Sequence, residues 1–149
     1  GATLALFCDI IFAVDHAKFA DPHVRVGLVA GDGGAVIWPQ LIGYARAKEY
    51  LMTGDSMTGR EAMKIGLINH AVSEGELNNV TAEFVGRLRA GPRQAIRWTK
   101  TTINIGLKQL AHTIMDVGLS YEMISNKTED HQEAINAFRE KRRAKFVGY

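Results

Sequence analysis

Two side chains in this sequence can move protons near neutral pH: His23, in the loop Asp21-Pro22-His23, and Asp32, in the turn Gly31-Asp32-Gly33-Gly34. Histidine changes charge closest to neutrality of the unperturbed side chains, and a carboxylate beside a bound carbonyl compound can serve as a base. Several glycines at a strand-to-helix junction let the backbone approach a ligand closely and aim free amides at it. The run has no Lys-Ser/Thr pair for a phosphate loop and no spaced glycines of the dinucleotide type. Taken alone, it equally describes a tight turn in which Asp32 caps the next helix, and His23 equally describes an idle, exposed loop histidine. The other histidines, His16, His70, His112 and His131, have neither an i,i+4 pairing nor a cysteine partner, so spacing points to no metal.

The composition sets these groups in an ordinary globular domain: 149 residues, 46% hydrophobic, 23% charged, net charge +2. Disordered and fibrous classes are excluded. One basic tail, Arg139 to Lys145, on so small a net charge is too weak a footprint for nucleic acid. The lone Cys8 rules out an internal disulfide, and its apolar setting predicts a buried thiol in a reducing compartment. The longest apolar stretch, Ala2 to Val14, is broken by Asp9 and is shorter than the roughly 20 residues that cross a bilayer. It also lacks the basic lead-in of a secretory signal. A cytoplasmic protein without a membrane partner is the expectation. The chain opens at Gly1, directly into apolar residues, which predicts that further sequence belongs upstream.

Elements that would position His23 and Asp32 follow from local pattern. Thr3 to Phe7 reads as a short buried helix, Asp9 to Val14 as a buried strand and Ala17 to Ala20 as a shorter one. Apolar alternation resumes from Val24 to Val29, and an apolar helix runs from the glycine turn to Ile42 with Gly43 as its cap. A helix over Ala45 to Met52 precedes Thr58-x-x-Glu61, a capping box opening a helix to Ile65, and Leu67 to Val72 is a last strand. Ser73-x-x-Glu76 is a second capping box for a helix to Ala90, which Gly91-Pro92 stops. A separate run from Leu107 to Asn126 carries the stripe Leu110, Ile114, Val117, Tyr121 and Ile124, and a final helix starts after Thr128. Residues 1–72 thus form an α/β part with three or four short strands, and 73–149 an all-helical part.

In this order the segments LALFCDIIFA, AKFADPHVRVGLVAGDGG, LIGYARAKEYLMTGD, EAMKIGLINHAV and AINAFREKRRAKF resemble the enoyl-CoA hydratase/isomerase (crotonase) family over essentially the whole chain. The resemblance implies a partial crotonase-like (ββα) spiral core followed by a helical trimerisation region, with trimers or hexamers, and about a hundred further residues upstream. It implies a CoA thioester substrate whose enolate is held by two backbone amides, one contributed upstream and one from a glycine run of which Gly1 remains, with no metal and no cofactor beyond the CoA of the substrate. Preorganised donors of this kind contribute on the order of a few kcal/mol each. The family's hydratases place glutamates where this chain has Thr3 and His23, so paired-carboxylate hydration is not expected. An aspartate in the glycine turn does the acid/base or nucleophilic work in some members, and Asp32 resembles it, which makes Asp32 with His23 the candidate catalytic pair. Gly1, Thr3, Phe138 and Lys141 are the candidate substrate-binding residues, the last two by likeness to residues that reach a neighbouring subunit's CoA. Alternatives are a diketone hydrolase of the same superfamily and a non-catalytic homologue that keeps only the assembly surface.

Overall fold

Short elements that end on glycine or on a cap build the first half of the computed structural model, which describes residues 1–148. Helix α1 (Ala2–Leu6) leads to strand β1 (Phe12–Val14) and strand β2 (Lys18–Phe19), and a 3-10 turn covers His23–Val26. Helices α2 (Gly34–Ile42) and α3 (Tyr44–Thr53) follow, then β3 (Met57–Thr58), α4 (Gly59–Ile65) and β4 (His70–Val72). Gly43, Gly54 and Gly66 close α2, α3 and α4 with positive φ, a conformation that side chains beyond Cα disfavour. The Thr58 capping box forms as its spacing predicts: Thr58 Oγ1 accepts from the Glu61 amide at 3.2 Å and Glu61 accepts from the Thr58 amide at 2.7 Å.

The strands are shorter than alternation suggests and form two separate ladders rather than one sheet. β1 pairs in parallel with β4, with Phe12 opposite His70, and β2 pairs antiparallel with β3, with Phe19 opposite Met57. The apolar residues 24–29 do not extend as alternation predicts. Hydrogen bonds from the Arg25 amide to the Pro22 carbonyl and from the Gly27 amide to the Val24 carbonyl wind Val24 to Val26 into the 3-10 turn instead, and Leu28 and Val29 join no strand. Cys8 is a second correction. It follows the end of α1 in a turn that faces outward, so the thiol is exposed, with Sγ donating to the Leu4 carbonyl at 3.5 Å. Trp38, fully buried, centres the core with Leu6, Phe19, Ile37, Ile42, Met57 and Leu67.

Beyond Val72 the chain is helical: α5 (Leu77–Ala90), α6 (Arg93–Ser125) and α7 (Glu129–Arg139). Gly91-Pro92 breaks the chain between α5 and α6. Ser73 and Glu76 do not form the second capping box. Their side chains bond each other at 2.5 Å, and the helix starts only at Leu77, with Glu76 rather than Ser73 at the cap position. No break occurs before Leu107 either, and α6 is one helix of 33 residues that runs through Gly106. A single helical glycine costs about 1 kcal/mol against alanine, too little to interrupt so long a cooperative helix. The stripe residues Val117, Tyr121 and Ile124 stay exposed. No helix of the described residues is long and apolar enough to cross a membrane.

A close backbone contact helps dock α6 on the first half of the chain. A side-chain carbon on Gly31 would lie 2.1 Å from the Gly118 carbonyl oxygen, a separation atoms do not adopt. Gly31→Ala is therefore expected to lower stability by about 1–3 kcal/mol through forced separation of the turn from α6. Chemical denaturation compared with Gly106→Ala, where nothing lies within 4 Å, checks it.

Candidate active site

The turn between residues 30 and 34 gathers three elements around Asp32. Gly31 lies on α6 as described, Gly33 leaves room for the Thr3 methyl and the Phe7 ring of α1, and Gly34 leaves room for the Asp21 carboxylate, whose Oδ2 would lie 2.0 Å from a side-chain carbon there. Gly33 also needs its φ of +122°. Asp32 does not cap α2; Gly33 holds that position, and the Asp32 side chain, 46% exposed, is free for other contacts.

His23 meets that free carboxylate. Its Nε2 lies 3.9 Å from Asp32 Oδ2, and its Nδ1 hydrogen-bonds Asp21 Oδ1. The histidine is thus not the exposed loop residue its position suggests: the side chain is only 24% exposed, and Asp21 beneath it is 2% exposed. Sequence spacing noted Asp21 only as part of a proline loop. The second oxygen of Asp21 is buried without a hydrogen-bond partner among the described residues. A third carboxylate arrives from α6. Gly118, Glu122 and Ser125 recur at helical spacing on one face: Gly118 touches Gly31, Ser125 Oγ accepts from the Val29 amide at 3.2 Å, and Glu122, between them, acts on the His23 charge with one oxygen buried and unpartnered.

These neighbours set the protonation of His23. Burial, the largest single influence, pushes the imidazole down. The Asp21 hydrogen bond and the charges of Asp21, Asp32 and Glu122 together outweigh it, so the pKa is raised above 6.5. Asp21, His23 and Asp32 also bring potential cation-ligating atoms within 4.8 Å of one another, a gathering that histidine spacing did not foresee. Nδ1 and Asp21 Oδ1 are already bonded to each other, which leaves Nε2, the half-exposed Asp32 carboxylate and the unpartnered Asp21 Oδ2.

The remaining candidates divide between two places. Thr3 sits at the rim of the glycine turn, and Gly1 is exposed at the start of α1, its carbonyl taking the Ala5 amide at 3.1 Å. Phe138 lies about two turns beyond His131, the α7 residue that reaches the 3-10 turn through Val26, and Lys141 follows just past the end of α7. The Phe138 ring is 85% exposed, and Lys141 adopts a φ of +54° where the chain turns back along α7. Glu133 pins that return: Arg142 bonds its two oxygens at 2.5 and 2.9 Å and the Lys145 amide adds 2.9 Å, so its carboxyl is held down at about 2. The structure brings His23 and Asp32 together, places Thr3 against Gly33, and leaves Phe138 and Lys141 on the outer surface.

Comparison with known proteins decides the family. A family model described as Enoyl-CoA hydratase/isomerase matches residues 1–148. The chain belongs to the enoyl-CoA hydratase/isomerase, or crotonase, family. It is 34% identical over 147 residues to the crotonyl-CoA hydratase of Syntrophomonas wolfei, covering 99% of this chain and 56% of that protein. With the short-chain-enoyl-CoA hydratase of Clostridium acetobutylicum it shares 32% identity over 147 residues, 96% of this chain and 55% of that one. The crystal structure of a carnitinyl-CoA hydratase from Mycobacterium avium superposes with a TM-score of 0.91 at 27% identity, over 100% of this chain and 58% of that one. The chain therefore has the crotonase fold and spans a little over half the length of these relatives.

The His23 cluster gives this crotonase domain a pH-dependent stability. Because the folded state raises the imidazole pKa, His23 contributes stability that is fully present below 6.5 and is lost as pH climbs through the raised folded value. The stability difference between the natural protein and His23→Gln is accordingly expected to shrink steadily upward through that range, checked by denaturation midpoints between about pH 5 and about pH 9.

Proposed function

We infer that the protein acts on an acyl-CoA thioester through an enolate at the thioester carbonyl, with Asp32 as general base and His23 as the group that holds the second proton. The observation that carries this reading is the 3.9 Å separation of His23 Nε2 from the half-exposed Asp32 carboxylate. The pair stands in the two loops where the crotonase resemblance puts acid/base groups. Asp32 takes a proton from a carbon activated by the thioester, and the electron pair moves onto the carbonyl oxygen. The imidazolium of His23 delivers a proton to another carbon of the acyl chain, and the proton held by Asp32 then crosses to Nε2 to restore both groups. This sequence is a double-bond shift; hydration and C–C cleavage pass through an enolate of the same kind. Positioned proton transfer of this kind is worth about 100- to 10,000-fold in rate.

The oxyanion amides follow the family pattern, with one near Gly1 at the start of α1 and one upstream. Thr3, beside the glycine turn, lines the acyl end of the site. Phe138 and Lys141, on the outer surface, approach the CoA of a neighbouring subunit in a trimer or hexamer, where an ammonium favours phosphate. The names of the relatives, crotonyl-CoA hydratase and short-chain-enoyl-CoA hydratase, support a CoA thioester as the substrate class.

Asp32→Asn in the natural protein is expected to lower kcat on enoyl or dienoyl thioesters by about 100-fold or more with KM little changed, and Lys141→Ala is expected to weaken retention on immobilised CoA. Steady-state kinetics on a panel of enoyl, dienoyl and β-keto thioesters and of cyclic diketones checks the reading. Full activity of Asp32→Asn overturns the assignment of the base. Turnover of the diketones alone assigns the site to hydrolysis without CoA, and turnover of nothing by a well-folded oligomer leaves an assembly role.

A further inference from the structure

We propose that Asp21 is a positioning residue for His23, fixing the imidazole so that the proton of the neutral ring stays on Nδ1 and Nε2 is the nitrogen presented to Asp32 and to whatever enters beside it. The inference deepens the acid/base reading above and rests on it for its chemical consequence, though its geometry stands alone. Asp21 is the least exposed charged side chain of the site, 2% exposed, and its Oδ1 receives the Nδ1 proton. An uncompensated buried carboxylate is costly, which favours keeping the hydrogen bond from Nδ1–H to Asp21. Oδ2 has no partner and fits against Gly34, where any side-chain carbon would meet it at 2.0 Å. The carboxylate therefore has one orientation in which it both fits and is bonded. A third group that orients a histidine in this way decides which ring nitrogen can exchange a proton with substrate, because the other is taken.

The imidazole faces three acidic groups in all, Asp21 from its own loop, Asp32 from the glycine turn and Glu122 from α6. Only Asp21 touches Nδ1. Asp32 lies on the Nε2 side at a distance longer than a hydrogen bond. Removing the charge of Asp21 while keeping its shape therefore tests positioning separately from the field of the other two.

The experiment uses Asp21→Asn in the natural protein, with the His23 imidazole followed by nitrogen and carbon NMR across pH. Expected is a His23 pKa that falls towards or below its ordinary 6.5, and a basic limb of the kcat–pH profile that moves the same way, with kcat at neutral pH about tenfold or more lower and KM little changed. A folded Asp21→Asn protein whose His23 titrates as before overturns the proposal. Because that variant can fail to fold, the unsubstituted protein supplies a second measurement. Above its pKa, His23 should show the Nδ1–H tautomer; the Nε2–H tautomer overturns the proposal. Both NMR readouts need no substrate. If they hold while no thioester is turned over, the functional reading falls and the positioning stands. If thioesters are turned over but the tautomer is Nε2–H, the positioning falls alone.

Discussion

Everything in this structure that resembles a site depends on the absence of side chains at three positions of one turn. Gly31, Gly33 and Gly34 each meet a different neighbour closer than a Cβ atom would permit: the backbone of α6, the side chains of α1, and the buried Asp21 carboxylate. The turn is a junction at which four parts of the chain meet within the span of residues 31–34. Asp32 is the one residue of the run with a side chain, and it has nowhere to point except outward, past His23. The glycines thus do two things at once. They bring the elements together, and by crowding the turn on its other sides they aim the carboxylate.

The consequence for electrostatics follows from who is buried. Asp21 and one oxygen of Glu122 are out of water, and Asp32 is not. Three acids around one imidazole favour its protonated form against the desolvation that opposes it. A histidine so placed holds its proton into the range where an isolated imidazole has lost it. The interaction is local, because the exposed ion pairs of the chain, Arg25 with Asp55 at 2.6 Å and Arg60 with Asp15 at 2.6 Å, lie in solvent where screening leaves each worth little.

The parts of this arrangement that could be read from sequence are those whose cause is local. Thr58 and Glu61 make their capping box because the two partners are three residues apart, and Gly43, Gly54 and Gly66 stop helices because the requirement for positive φ belongs to the glycine itself. Asp32 and His23 were identifiable by residue type and by likeness to a family loop order. Asp21 was not, although it precedes His23 by two residues, since its role comes from burial under a turn that forms ten residues later. Glu122 is about a hundred residues from His23 in sequence, and its one signal was a charge four residues after a glycine within an apolar stripe. Ser73 and Glu76 had the right spacing for a cap and made a side-chain pair instead, because Glu76 itself took the cap position. The exposure of Cys8 and the continuity of α6 through Gly106 were equally tertiary outcomes.

The length of α6 explains why so exposed a helix can still fix a site. None of its 33 residues is buried, so its place is not set by a deep apolar face, as it is for most helices of globular proteins. It is set by a half-buried stripe that includes Leu107, which packs against the core, together with Gly118 on Gly31, Ser125 on the Val29 amide, and an ion pair between Lys100 and Asp9. Two of these points fall on one face within two turns, on either side of Glu122. A rod held at two nearby points on one face cannot rotate about its axis, so the residue between them is held in direction even though the opposite face is exposed. The exposed apolar residues of the same helix, Trp98, Ile103, Tyr121 and Met123 among them, take no part in that constraint, and the position of Glu122 beside His23 does not depend on what covers them.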